Sequence, residues 1–409
     1  MRFPGWLRVA FAMFVVGWGA NQFTPLLLVY RETDHYSQTL VTSMFAAYVL
    51  GLVPALLIAA ELGGRFGHRT VLRPVMVLTV IASLLLAIGD HSPAPLFIGR
   101  VLYGVCTGAA MSPGTTWVKE LSRDAPVGTG ARRAAIALSA GFGGGAFLVG
   151  FMAQWLPAPK VLPYVVHIAL TVVAGVLVWN APELTRHATK VPEESVRDEQ
   201  TSRRAPRRES RGAGTPHYAL STHFWARIGP MAPWVFACPA ISMVILPTLI
   251  RTQISGAAIA FTGILCGLTL GTGVLVQQPA RRLEAEHPGL VTVLGMLGTV
   301  LGVLLTVLTV EHGSIPLVVV GSVVLGAGYG LNLVGGLTRV ERSSPATELA
   351  MTNAVFYSLT YIGFAVPTVV SVLVNHWPET DVLLGFALLA ALSLLAGMLA
   401  QRAARVVAG

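Results

Sequence analysis

Charged side chains are what this chain has least of. Only 11% of its 409 residues are Asp, Glu, Lys or Arg, where a soluble domain carries about 25%. With 54% hydrophobic residues and a mean hydropathy of +0.68, a water-soluble globule is excluded and lipid becomes the expected solvent. Cysteine is almost absent as well. Cys106, Cys238 and Cys266 show neither metal-ligand spacing nor a pairing pattern, which excludes a disulfide scaffold and a metal centre and leaves small packing residues. The chain has no Gly-rich loop ending in Lys, so nucleotide-driven chemistry is excluded. Nor does it carry the clustered carboxylates or the His/Asp set that an embedded transferase would need. No cofactor and no enzyme activity are expected.

What is present is apolar length. Twelve stretches of about 20 residues, each matching a hydrocarbon core of about 30 Å, run near 7–30, 38–60, 71–89, 95–118, 133–155, 161–180, 224–250, 257–278, 289–310, 315–337, 350–374 and 382–401. They are continuous, which predicts helices rather than the alternating strands of a barrel. The fold class expected is an all-α membrane protein of twelve transmembrane helices in two six-helix bundles. The division is 1–180 for the first bundle, 181–221 for a polar tether, and 222–409 for the second. The tether mixes Arg, Glu, Pro and Gly and has too little apolar surface to order itself. The N-terminal run continues past residue 20 to Tyr30, which predicts an uncleaved first helix rather than a signal peptide.

Basic residues set the orientation. Of 28 Lys and Arg, all but Arg31, Arg100, Lys160 and Arg251 fall on the side of the termini. By the positive-inside rule both termini and the tether are cytoplasmic. The net charge of +9 is then explained by loops facing anionic headgroups; the lipid bilayer is the partner, and nucleic acid is not. The run Arg203, Arg204, Arg207, Arg208 and Arg211 reads as a solvated linker. Arginine exceeds lysine by 25 to 3, and with abundant Ala, Gly and Val this points to a bacterial cytoplasmic (inner) membrane.

One loop carries a family resemblance. Leu62-Gly63-Gly64-Arg65-Phe66-Gly67-His68-Arg69-Thr70-Val71-Leu72 resembles the loop between the second and third spans of the major facilitator superfamily, G-x-L-a-D-R-x-G-R-[KR]-x-x-L. Leu62, Arg65, Gly67, Arg69 and Leu72 match; Ala60, Gly64 and His68 depart from it. Gly64 stands where the family's latch acid would be, and nearby Glu61 is the candidate substitute. Arg100, Gly104 and Gly108 resemble the R-x-x-x-G-x-x-x-G pattern of export-type members. The glycines of span 5, Gly141, Gly143, Gly144, Gly145 and Gly150, are similar to those of drug/proton antiporters, without the Gly-Pro pair. The resemblance implies a gating loop of Glu61, Gly64, Arg65, Gly67 and Arg69, and a central cavity lined mainly by spans 1, 4, 7 and 10.

Polar residues fall on helical faces of those spans and of span 11. Trp18, Asn21 and Gln22 share a face with Pro25; Arg100, Tyr103 and Thr107 share another. Tyr329 and Asn332 lie in span 10, and Asn353, Tyr357 and Tyr361 repeat at i, i+4, i+8 in span 11. Such groups belong against a wet cavity or another helix. Arg100, about 8 Å below the outer surface, is read as a gate, a proton relay, an anion clamp, or a structural side chain that snorkels to the outer face or pairs with Asp90. All 19 Asp and Glu avoid the middle of the spans, which argues against permanent cations as substrates. The candidates for proton coupling are Arg100, His167, Glu32, Asp34 and Glu61. The expectation is a monomeric proton-coupled antiporter exporting a small hydrophobic neutral or anionic molecule. The alternative is an importer of a sugar or organic acid.

Overall fold

The computed structural model describes residues 3–89, 92–126, 128–182, 218–345 and 347–408. Among them there is no strand. The first six spans are α1 (Gly5–Thr33), α2 (Gln38–Phe66), α3 (His68–Ala87), α4 (Pro93–Glu120), α5 (Thr129–Trp155) and α6 (Leu162–Trp179). The second six are α7 (Trp234–Leu249), α8 (Ala258–Glu286), α9 (Leu290–His312), α10 (Ile315–Ser343), α11 and α12 (Glu379–Ala408). Helix α11 runs Leu349–Tyr361, tightens to a 3-10 turn over Ile362–Ala365, and resumes as Val366–Leu373. Eleven of the twelve are long and apolar enough to cross a membrane by themselves; α7 is shorter.

The prolines explain the interruptions. In lipid a carbonyl that loses its donor must be satisfied inside the protein. Pro54, Pro74, Pro113 and Pro279 sit within unbroken helices, but at other prolines the helix breaks locally. Helix α1 turns at Gln22, where Pro25 leaves the Asn21 carbonyl without its i+4 donor. Span 7 starts later than its sequence predicts. Pro230 and Pro233 hold residues 228–233 in turns, so the helix begins at Trp234 and the earlier piece survives only as Thr222–Arg227. Between Pro239 and Pro247 the helix widens to a π turn, Ile241–Ile245, close to the carbonyls of Val235 and Met243 that the two prolines leave unpaired.

The loop between α2 and α3 is shorter than expected. Helix α2 continues through Gly63 and Gly64 to Phe66, and one residue, Gly67 at φ +89°, makes the connection. That left-handed backbone is what glycine permits. Gly63 packs on Pro113 of α4, His68 pairs with Glu120 of α4 at 3.2 Å, and Arg69 donates to the Ala181 carbonyl. The loop is thus fastened to its own bundle by His68 and Arg69. Asp90, residues 183–217 of the tether and the Glu61 side chain lie outside what is described.

Side chains of α1 and α3–α6 form one buried cluster around Met13, Trp117 and Val178, and those of α7–α12 form others around Val303 and Phe356. A further cluster joins the two sets, from Trp18, Phe45 and Tyr48 to Met243, Cys266, Tyr361 and Phe364. The tightest seam within the first set is α2 against α4. A Cβ on Gly51, Gly104 or Gly108 would overlap the backbone of the facing helix, and for Gly104 the atoms are the Tyr48 carbonyl and the Leu52 nitrogen. Small residues are the standard means of close approach in lipid. Gly104→Val should therefore push α2 and α4 apart and reduce the yield of monodisperse protein about tenfold. Gly144→Ala, at a glycine with nothing within 4 Å, should melt as wild type. Size-exclusion profiles and melting curves in detergent check both, and a well-behaved Gly104→Val would contradict the seam.

Candidate substrate junction between the bundles

One face carries the start of α1 and the ends of α6 and α12 and is termed terminal; the opposite face is distal. At the distal end the bundles are sealed. Thr42 Oγ1 bonds Ser371 Oγ at 3.0 Å, and Thr39 Oγ1 donates to the Ser371 carbonyl at 3.3 Å. Gln154 of α5 supplies a carbonyl oxygen to the amides of Ile259 and Ala260, at 2.9 and 3.3 Å. Helix α8 lacks a side-chain cap of its own, so the first bundle caps the second. Just below, Gly150 and Gly263 bring α5 and α8 into backbone contact.

Toward the terminal face the seal opens. The interior face of α5 passes from buried Ala153, Val149 and Ala146 to half-buried Phe142 and Ser139, then to exposed Ala135 and Ala131. On α8 the same progression runs from buried Ile259 and Cys266 to half-buried Gln277 and exposed Arg281. The two bundles therefore diverge into a vestibule on the terminal side.

Where seal and vestibule meet stands an aromatic floor. Phe236 of α7 stacks on Tyr361 at 4.5 Å between ring centres and lies 5.1 Å from Phe364 and 5.6 Å from Tyr329. Phe364 continues across the seam to Phe45 at 5.1 Å and Tyr48 at 6.2 Å. The Tyr361 hydroxyl reaches Met111 Sδ of α4 at 3.5 Å. Phe14, Met111, Phe142, Phe236, Tyr329 and Tyr357 pack on this shared core while staying only half-buried. Each ring pair contributes about 0.5–1.5 kcal/mol beyond its buried area.

Several residues singled out by sequence meet here. Trp18 and Asn21 flank the junction from α1, the latter donating to the Phe142 carbonyl at 3.2 Å. Tyr329, Tyr357 and Tyr361 belong to it, and Asn353 lies one turn toward the terminal face from Tyr357, its Oδ1 buried without a partner. Trp18 Nε1 and Gln22 Oε1 are likewise buried and unpartnered. Phe45, Tyr48, Met111, Phe236 and Phe364 were not legible as site residues, because an apolar ring in an apolar span carries no periodic signal of its own. Gln154 and Gln277, isolated polar residues in spans 5 and 8, did carry one.

Other candidates are not brought to the junction. The polar face of α4 turns into its own bundle because Gly104 and Gly108, at i+4 and i+8 from Arg100, must face α2. Arg100 is 1% exposed. Its Nη1 donates to the Ala20 carbonyl at 2.8 Å, Nη2 to Phe45 at 3.2 Å and Nε to Met44 at 3.4 Å, with the rings of Phe23 and Tyr48 5.0 and 4.9 Å away. The guanidinium thus ties α4 to the break in α1 and to α2. Tyr103 accepts from Gln22 Nε2 at 2.8 Å and lies within hydrogen-bond reach of Ser83 and of His167 Nδ1. Thr107 donates to the Tyr103 carbonyl within its own helix. His167 Nε2 donates to the Val15 carbonyl at 2.9 Å, which leaves Nδ1 to accept from Ser83 at 2.9 Å. Asn332 is fully buried between α9 and α10, donating to Thr299 at 3.0 Å. At the distal edge Asp34 is held by Lys160 at 2.6 Å, while Glu32 is exposed beside a cavity.

The sequence of residues 9–366 matches the model of the Major Facilitator Superfamily. The chain belongs to this superfamily of transporters. Among solved structures it is similar to the nucleoside transporter NupG, at TM-score 0.71 and 13% identity over 97% of this chain and 99% of that one. It is also similar to a peptide transporter POT in complex with alafosfalin, at TM-score 0.73 and 15% identity over 98% and 94%. A POT family transporter in complex with 5-aminolevulinic acid gives TM-score 0.71 at 12% identity, over 97% and 95%. At these identities the likeness establishes the fold alone. No curated protein matches the sequence.

The placement of Arg100 makes a prediction. Losing the guanidinium removes charged donors from carbonyls of α1 and α2, and a hydrogen bond to a charged group contributes about 1.5–3 kcal/mol. Arg100→Lys keeps the charge but not the three-way fork, and Arg100→Gln loses both. Both should melt several degrees lower, Gln more than Lys, while ligand affinity per folded molecule changes less than threefold. Loss of ligand binding at unchanged stability would instead place Arg100 in the substrate site.

Proposed function

We propose that this protein is a secondary transporter working by alternating access, and that it exports small hydrophobic neutral or anionic molecules in exchange for protons. The observation that carries this reading is the junction itself. It is rich in aromatic rings, is contributed by both bundles, and has no carboxylate among its described residues. A ring-lined floor binds flat or greasy molecules by area and stacking, and the absence of an acid removes the partner a permanent cation would need. Trp18 Nε1 and Asn353 Oδ1 supply one donor and one acceptor for orientation. With the terminal face assigned to the cytoplasm by its basic residues, the vestibule faces the cytoplasm and the distal seal faces outward. That is the loading state of an exporter.

In this reading residues 1–180 and 222–409 rock as two units about the aromatic floor, the tether allowing the motion. The move out of this state breaks the Thr42–Ser371 bond and withdraws Gln154 from the start of α8. For the proton we assign His167, which the chain Gln22–Tyr103 connects to the break in α1 beside the junction. Glu32 is the exposed acid on the distal side, and Asp34 is less suited because Lys160 already neutralises it. The protein works as a monomer in the bacterial inner membrane.

Flux into proteoliposomes of a hydrophobic fluorescent dye tests the proposal. An imposed pH gradient should raise the initial rate at least fivefold, and His167→Gln should retain dye binding while losing the response to the gradient. Uptake of a sugar or organic acid down its own gradient, with no dye movement, would establish import instead. A gradient response undiminished in His167→Gln would remove the histidine from coupling.

A further inference from the structure

Two arginines stand opposite one another at the distal mouth. Arg31 lies in the last turn of α1, and Arg251 follows α7 in the other bundle. Both are only half-buried, and the two repel electrostatically. Neither guanidinium makes a hydrogen bond or an ion pair among the described residues. They are also two of only four basic residues on the sparsely charged side of the sequence. Like charges brought together by a sealed interface lower its stability unless something neutralises them.

The space around them is shaped for such a counter-charge. One cavity of about 360 Å³ is lined by both arginines, by Gln38, Thr248 and Ser371, and by an apolar wall that includes Leu249 and Val370. A second, of about 520 Å³, shares both arginines and is completed by Gln154 and Ser255. The first is within the size range of sites for small organic ligands. Each cavity also holds one acid, Glu379 in the first and Glu32 in the second, with His35 beside Glu32. Both cavities share the same two arginines, so with Glu32 and Glu379 ionised the four groups sum to zero, but among the described residues neither acid lies within ion-pair distance of either guanidinium.

We infer that Arg31 and Arg251 form a binding site for a small oxyanion, in which the bound anion bridges the two bundles and stabilises the distal seal. The apolar wall of the first cavity favours an organic carboxylate with a hydrophobic body over an inorganic ion. The site is separate from the aromatic floor and does not depend on the direction of transport, so a binding measurement tests it whether or not the export reading holds.

The experiment titrates purified protein in detergent with sodium benzoate and, separately, with sodium sulfate at matched ionic strength. Melting by intrinsic tryptophan fluorescence and calorimetric binding are the readouts. Benzoate should bind and raise the melting temperature, with affinity at least tenfold weaker in both Arg31→Gln and Arg251→Gln. A stronger response to benzoate than to sulfate supports a carboxylate ligand, of the kind a transported molecule would present. The reverse supports an inorganic anion at the same arginines. As a check on folding, both variants should melt no lower than wild type without anion, because removing one charge relieves the repulsion. No response to either anion, or binding unchanged in both variants, overturns the site.

Discussion

Everything in this fold answers to one constraint: in hydrocarbon, each backbone polar group and each buried charge must find its partner within the protein. Twelve helices meet most of that requirement by themselves. Proline removes a donor without a break at Pro54, Pro74, Pro113 and Pro279, while the helices are interrupted near Pro25, Pro239, Pro247 and Pro367. These interruptions lie in α1, α7 and α11, the helices that meet at the aromatic floor and distal seal. Arg100 donates to Ala20, one residue before the carbonyl that Pro25 leaves free. The charge that seemed to call for an anionic substrate is stabilised by backbone carbonyls and ring faces instead.

The same constraint gives the distal seal its character. The first amides of α8 are capped by Gln154 from the opposite bundle, a cap that exists only while the bundles touch. In the proposed opening those amides would turn to water, an exchange of small cost that can be reversed. Hydrogen bonds of this kind within membranes contribute about 0.6 kcal/mol on average, small enough for a moving interface. The α2–α4 seam, with three glycines against backbone, belongs to the parts that stay together.

The sequence made the fold legible through length, periodicity and the distribution of arginine. Eleven helices lie where apolar runs of membrane length predict them, and the twelfth, α7, differs because Pro230 and Pro233 delay its start. The junction was only partly legible. Periodicity correctly grouped Asn353, Tyr357 and Tyr361 on one face, but a helical face does not say which neighbour it meets. Arg100, Tyr103 and Thr107 face their own bundle because Gly104 and Gly108 fix the rotation of α4, and that follows from packing against α2. Asn332 likewise finds Thr299 on α9. The rings of Phe236 and Phe364 became site residues only through contacts between distant parts of the chain.

The central claim is that this conformer, sealed at the distal end and open at the terminal end, is one of two that interconvert about the aromatic floor. Paired spin labels measure that directly by electron–electron distance spectroscopy in nanodiscs. One pair sits at Ala135 and Arg281 on the terminal side, the other at Glu32 and Thr252 on the distal side, in a background whose native cysteines are all buried. The account predicts two populations, with the terminal distance shortening as the distal distance lengthens, and a Gln154→Ala variant enriched in the distally open form. A single distance at each pair under all ligand and pH conditions, or distances that lengthen together, would contradict it.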